Sequence, residues 1–264
     1  MSLSARGPHR ALPGGDRCST FPIRIPIAAT AGAGQTRRLR YSDAVARLLS
    51  LPATLPAGPE ALTPVRLGGE PWKAPIEGMA SARAAAVLVL VAPDTAGDAR
   101  VVLIERTSYD GHHSGEVAFP GGAAEVGDAS LVDTALREAA EEIGLKPQAV
   151  QLRVIGELEP FWIPVSNFRV TPILAVADRL QPWTPDPREV KRVVEAPVAA
   201  FLPGAPIQIV ERDVREWRIR YGAYALEAIA DDGPAVWGAT ARILGQLGML
   251  LNGAHDRADD SADD

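Results

Sequence analysis

The stretch Arg137-Glu138-Ala139-Ala140-Glu141-Glu142-Ile143-Gly144-Leu145 concentrates three carboxylates in five residues. On a helix, Glu141 and Glu142 stand three and four positions after Glu138, so all three project near one another. Like charges at that spacing destabilise a helix unless something neutralises them. Arg137 can pair with Glu141 four residues on. A hard divalent cation would neutralise the cluster more completely, because Mg²⁺ and Mn²⁺ favour carboxylate oxygen. Ala135, Leu136, Ala139, Ala140 and Ile143 supply an apolar side, so the helix is expected to anchor by one face and offer an acidic site on the other. Upstream, Gly121 and Gly122 lack Cβ atoms and let backbone pass close to a phosphate-bearing ligand. Pro120 stiffens that approach, and Asp128, just before the helix, adds a carboxylate. An Arg-Glu-x-x-Glu-Glu run alone is usually a solvated face, and Gly-Gly alone a turn. Together they are harder to dismiss: Arg, three Glu and Gly at fixed spacing arise by chance on the order of 10⁻⁶ per starting position.

These residues need elements to hold them. Ser130-Leu-Val-Asp133 is a capping box that starts the acidic helix, and Gly144 with Pro147 stops it. Ala84 to Ala92 is a buried-type strand by length and β-branched content. Val101 to Glu105 returns after the Pro93-Asp-Thr-Ala-Gly-Asp turn, which makes a hairpin. Further strands are expected at Gln151 to Leu158 and Phe168 to Ala177, with weaker signals at Ile207 to Val210 and Arg218 to Tyr221. Val236 to Leu251 reads as an amphipathic helix with Val236, Ala239, Ile243, Leu247 and Leu250 on one face. Strands mixed with two long helices predict an α/β or α+β sandwich. Before this core, Ser42 caps a short helix, and residues 52–78 carry six prolines, which predicts a linker or an extended wrap.

Composition bounds the class. The chain has 264 residues, 47% hydrophobic and 23% charged, which excludes a collagen, a disordered tail protein or a disulfide scaffold. Cys18 is the single cysteine and cannot bridge internally, so nothing points to an oxidising compartment. The longest apolar run, Ala84 to Ala92, is too short to span a bilayer. The net charge of −6 is uneven: residues 1–40 hold seven arginines and one acid, so they carry +6 and the remainder −12. We expect residues 1–40 to be a disordered basic leader, with an organelle transit peptide as the alternative, and residues 253–264 to be an acidic solvated tail. The expected location is cytoplasmic. The acidic remainder has the wrong sign for nucleic-acid binding.

From Gly122 to Leu145 the chain resembles the Nudix box, whose pattern is Gly, five residues, Glu, seven residues, Arg-Glu-U-x-Glu-Glu-x-Gly-U, with U apolar. Arg137 to Leu145 matches the ending. In the first half Asp128 stands in place of Glu, and one residue is inserted before Arg137. Further upstream, Leu103-Ile-Glu-Arg-Thr-Ser-Tyr-Asp-Gly-His-His-Ser-Gly-Glu-Val-Ala-Phe-Pro-Gly-Gly resembles the signature of the coenzyme A pyrophosphatase subgroup. Ile104, Thr107 and Gly111 depart from that signature, Gly111 replacing an Arg for which His112 or His113 could substitute. Asn167-Phe-Arg-Val-Thr-Pro, Glu189-Val-x-x-Val with Pro197 to Leu202, and Val236-Trp-Gly-Ala-Thr-Ala-Arg-Ile also look like this subgroup.

The resemblance spans residues 81–252 and implies an α/β/α sandwich with a mixed central sheet. It implies Mg²⁺ or Mn²⁺ held by Glu138 and Glu142, with Glu141 and Asp128 as further ligands, and Arg137 orienting the glutamates. Glu189 is the general-base candidate by analogy, with Glu125 and Glu116 as loop alternatives. Arg106, His113, Phe119, Pro120, Gly121 and Gly122 are the expected substrate contacts. The implied substrate is coenzyme A or its thioesters, cleaved to 3′,5′-ADP and 4′-phosphopantetheine. Alternatives are another nucleoside diphosphate derivative, such as NADH or ADP-ribose, and a Nudix module that binds without cleaving. The expected partner is a small nucleotide, with no nucleic acid or membrane, and a homodimer stays open.

Overall fold

The computed structural model describes residues 37–67, 81–107, 116–163, 166–214, 217–225 and 235–252. The helices are α1 (Tyr41–Leu48), α2 (Leu131–Ile143) and α3 (Gly238–Leu250). In chain order the strands are β1 (Val65–Arg66), β2 (Arg83–Pro93), β3 (Ala99–Arg106), β4 (Val117–Ala118), β5 (Gly121–Ala123), β6 (Arg153–Glu157), β7 (Phe161–Ile163), β8 (Phe168–Val176), β9 (Val190–Pro197), β10 (Gln208–Val214), β11 (Trp217–Ala225) and β12 (Ala235–Val236).

The main sheet runs β4-β3-β2-β8-β6, with β5 added to β2, β7 to β8 and β9 to β3. β2 and β8 pair in parallel and the other pairs are antiparallel, so the sheet is mixed. Parallel strands need a long crossover, and α2 lies within it. Strand alternation assigns the two faces. Val89, Val91, Val101, Leu103, Leu174 and Val176 enter one core, and Leu88, Leu90, Val102, Ile104, Ile173 and Ala175 enter the other. The first core is closed by α1, α3 and the smaller β1-β11-β10 sheet with β12; the second is closed by α2. This is the expected α+β sandwich, with helices on both faces of a mixed sheet.

The hairpin of β2 and β3 forms with Val91 opposite Val101. Helix α2 starts at Ser130, whose Oγ accepts the Asp133 N–H at 3.1 Å, and stops at Gly144 in the left-handed conformation, φ 67°. The α1 start differs from expectation. Arg40, not Ser42, is its N-cap, without a side-chain cap, and the Tyr41 N–H donates to the Gly97 carbonyl of the hairpin turn. Tertiary docking replaces the local cap. The leader boundary also moves. Leu39 is buried, its carbonyl accepts from the Ala99 N–H, and Arg38 and Arg40 both bridge to Asp98, so residues 37–40 are part of the packed structure. Within the described part of the proline-rich stretch, Leu62 is fully buried and β1 pairs with β11. Residues 1–36, 68–80 and the tail from 253 lie outside the described residues. Among the described residues no helix is long and apolar enough to cross a membrane.

Candidate active site

The site forms where β2 parts from β3. The upper half of β2 pairs with β3, its lower half with β5, and the Phe119-Pro120 turn fills the split. The Leu88 N–H donates to the Pro120 carbonyl. Phe119 is only 3% exposed and belongs to the core, and Pro120 is buried too. Both were expected at substrate. Instead they seat the turn, because an apolar wedge is what a splayed strand pair must bury.

Helix α2 lies across this split. At 100° per residue, Glu138 and Glu142 share a line one turn apart, while Glu141 is rotated outward. The side chain of Glu141 is 62% exposed and that of Glu142 only 3%. The expected division into an apolar and an acidic face is therefore too simple. Glu142 sits on the buried stripe with Ala135, Ala139 and Ile143.

The two glycines bring the β5 backbone close to these carboxylates. The Gly121 N–H donates to Glu142 Oε2 at 2.9 Å. Gly121 has φ 152°, and a Cβ there would stand 2.3 Å from the Ala86 carbonyl oxygen. At Gly122 a Cβ would stand 2.5 Å from Glu138 Oε1. One glycine is required by the backbone, the other by the Glu138 side chain. Their close approach is to the helix carboxylates.

Arg137 locks the lower end. Its Nε and Nη2 donate to the two oxygens of Asp128 at 3.0 and 3.1 Å, and Nη2 also reaches the Ala123 carbonyl. Its Nη1 donates to Glu138 and Glu141 at 3.0 and 3.1 Å. Asp128 additionally accepts from the Thr134 hydroxyl and the Glu125 N–H. Hydrogen bonds from Arg137 hold the Asp128 carboxyl far below the usual range. Asp128, expected as a metal ligand, thus has both oxygens engaged in fixing Arg137. Residue type alone could not reveal this, since a carboxylate before a helix suits either role.

Arg106, at the end of β3, places Nη1 3.4 Å from Glu142 Oε1. Glu189, at the start of β9, is exposed but close enough for its charge to act on both Glu138 and Glu142. Burial pushes the Glu142 carboxyl up to about 7; the Gly121 N–H and Arg106 oppose that rise, and the charges of Glu138 and Glu189 add to it. Burial likewise raises Glu138, with Arg137 opposing. Glu125 is exposed and lies 4.0 Å from Arg137, and the Glu116 carbonyl accepts from the Arg106 N–H. His113 lies outside the described residues.

The structure thus brings Glu138, Glu142, Arg106, Gly121 and Gly122 together, and sets Glu141 and Asp128 on Arg137. Sequence reasoning missed Thr134 and the Ala123 carbonyl, which brace Asp128 and Arg137. Among the described residues no three His, Cys, Asp or Glu side chains converge to cage an ion unaided. Two desolvated carboxylates of raised pKa, with a third in electrostatic reach, do fit a hard divalent cation. Mg²⁺ typically takes one or two protein carboxylates and fills its shell with water and phosphate oxygen.

The chain is similar to known proteins. The NUDIX domain model matches residues 81–217. Curated relatives from Salmonella paratyphi B and Salmonella newport, both named "Uncharacterized Nudix hydrolase NudL", are 38% identical over 156 residues, covering 57% of this chain and 74% of theirs. Among solved structures, the Nudix hydrolase RenU from M. smegmatis is 24% identical, covers 52% of this chain and 79% of its own, and has a TM-score of 0.38. The domain match spans half of the chain and the relatives are matched over most of their length, so the chain belongs to the Nudix hydrolase family.

Proposed function

We propose that this Nudix hydrolase cleaves the diphosphate linkage of coenzyme A or its thioesters, giving 3′,5′-ADP and the 4′-phosphopantetheine product. The observation that carries the hydrolytic reading is the pair of desolvated carboxylates, Glu138 and Glu142, set one turn apart against a glycine pair. Support for coenzyme A comes from the loop running from Leu103 to Gly122 and from the downstream stretches that resemble that subgroup.

Glu138 and Glu142 hold the cation, Mg²⁺ or Mn²⁺, with Glu141 as a further ligand, direct or through water. When bound, the cation supplies neutralisation of the diphosphate and activation of water. Arg137, fixed by Asp128, keeps Glu138 in place. Arg106 contacts a substrate phosphate. Glu189 is the general-base candidate, because its charge already acts on the same two carboxylates. A second reading, another nucleoside diphosphate derivative, is favoured by Gly111 standing where the subgroup has an arginine.

The test is a panel of coenzyme A, acetyl-coenzyme A, NADH, ADP-ribose and dNTPs, each with Mg²⁺ or Mn²⁺. Coenzyme A and its thioester are expected to turn over fastest. Turnover of NADH or ADP-ribose without coenzyme A replaces the first reading by the second. Binding without turnover of any member leaves a non-catalytic module.

A further inference from the structure

Glu142 has two carboxylate oxygens, and they are used differently. Oε2 accepts the Gly121 N–H at 2.9 Å, a bond fixed by the β5 backbone. Oε1 is the remaining oxygen, and Arg106 sits on it. That contact is long, at 3.4 Å, and Arg106 Nε is buried without a hydrogen-bond partner among the described residues. A guanidinium has five donors in a planar fork, so Arg106 is held well below its capacity.

The strand explains why Arg106 reaches the site. The β3–β9 register shifts between Glu105 and Arg106. Glu105 pairs with Arg192 and Arg106 with Val190, so the extra residue is Lys191 of β9, and Arg106 keeps the alternation that puts Val102 and Ile104 on the α2 face. Glu105, buried, takes both Lys191 and Arg192 as partners. By strand alternation Glu105 lies on the face of Leu103 and Arg106 on that of Ile104, where Glu142 is its partner.

We propose that Arg106 is a displaceable internal counter-ion, competing with the divalent cation for Glu142 Oε1 and moving to the substrate's phosphate when the cation takes that oxygen. This rests on the diphosphate reading above and adds to it a coupling between cation and substrate. A substrate phosphate that draws Arg106 off Glu142 raises cation affinity, and by reciprocity the cation raises substrate affinity.

The test uses the full chain and Mn²⁺ alone, with free Mn²⁺ followed by electron paramagnetic resonance and no substrate present. Arg106→Gln is expected to bind Mn²⁺ on the order of three- to tenfold more tightly than the wild type, while the KM for the diphosphate substrate rises. Arg106→Lys keeps the charge and should stay within about twofold of wild-type Mn²⁺ affinity. A merely structural arginine would lower the melting temperature and leave Mn²⁺ affinity unchanged or weaker, and that result overturns the proposal. Should Arg106→Gln not fold, Arg106→Met retains the aliphatic stem and carries the same expectation. Because Mn²⁺ binding is read without substrate, failure of the whole panel to turn over would sink the functional reading separately.

Discussion

Two arginines flank the carboxylates of α2, and they are almost equally exposed: the Arg106 side chain by 24% and that of Arg137 by 23%. Their surroundings differ. Arg137 has every arm of its guanidinium occupied, and Asp128, which holds two of them, is itself held by Thr134 and the Glu125 N–H. Among the described residues the Arg106 side chain has one polar contact, at 3.4 Å to Glu142. The lower end of the site is thus braced and the upper end is poised. Exposure does not distinguish them; a counter-clamp does. This division suits a site in which one carboxylate must stay put while the other exchanges an internal cation for an external one.

Changing the poised end should have the largest effect. Glu142→Gln should fold and lose turnover by about 10³-fold or more, since it removes the most desolvated carboxylate of the pair. Steady-state kinetics on the preferred diphosphate checks this, and turnover within tenfold of wild type would remove Glu142 from the mechanism. The braced end should respond less. Asp128→Asn releases the Arg137 fork without touching Glu138 directly, so turnover should fall about ten- to a hundredfold. Loss as large as that of Glu142→Gln would show that Asp128 acts on the cation itself.

The smallest effect is on stability. The Glu142 carboxyl titrates near 4.5 in the unfolded chain and is raised to about 7 by burial in the folded one. Between those values the folded state keeps a proton that the unfolded chain has lost. In chelator, stability is therefore greatest below pH 4.5 as far as this group is concerned, and declines as pH rises through about 7, by at most about 3 kcal/mol. The raised Glu138 acts in the same direction. Asp128, depressed, contributes stability that is lost only in strong acid, so it is constant across this window. Melting temperatures at pH 5 and pH 8 should show the decline in the wild type, and Glu142→Gln should flatten it. An equal slope in both proteins would place the titration elsewhere.

Much of this was legible in local patterns. The near-continuous apolar runs marked β2, β3 and β8, because each strand is buried on both faces. The Ser130 cap and the Gly144 stop marked α2 to the residue, since both depend on local backbone geometry. The short strands β4, β5, β7 and β12 were not legible. Two or three residues carry no period, and such strands exist only through their partners.

By itself the sequence determined that three glutamates and an arginine share a helix behind a glycine pair, because helical spacing follows from chain position alone. Tertiary structure decided what each does. It buried Glu142 and left Glu141 in water, because α2 meets the sheet along one stripe. It gave Asp128 to Arg137, because the loop before the helix folds back over the first turns. It set Arg106 on Glu142 because β3 turns Val102, Ile104 and Arg106 toward α2, an element distant in sequence. The physical reason is common to all three. Spacing along the chain fixes which side chains can meet, but burial and the nearest counter-charge fix which of them stays free for a cation, and both depend on partners brought from elsewhere in the fold.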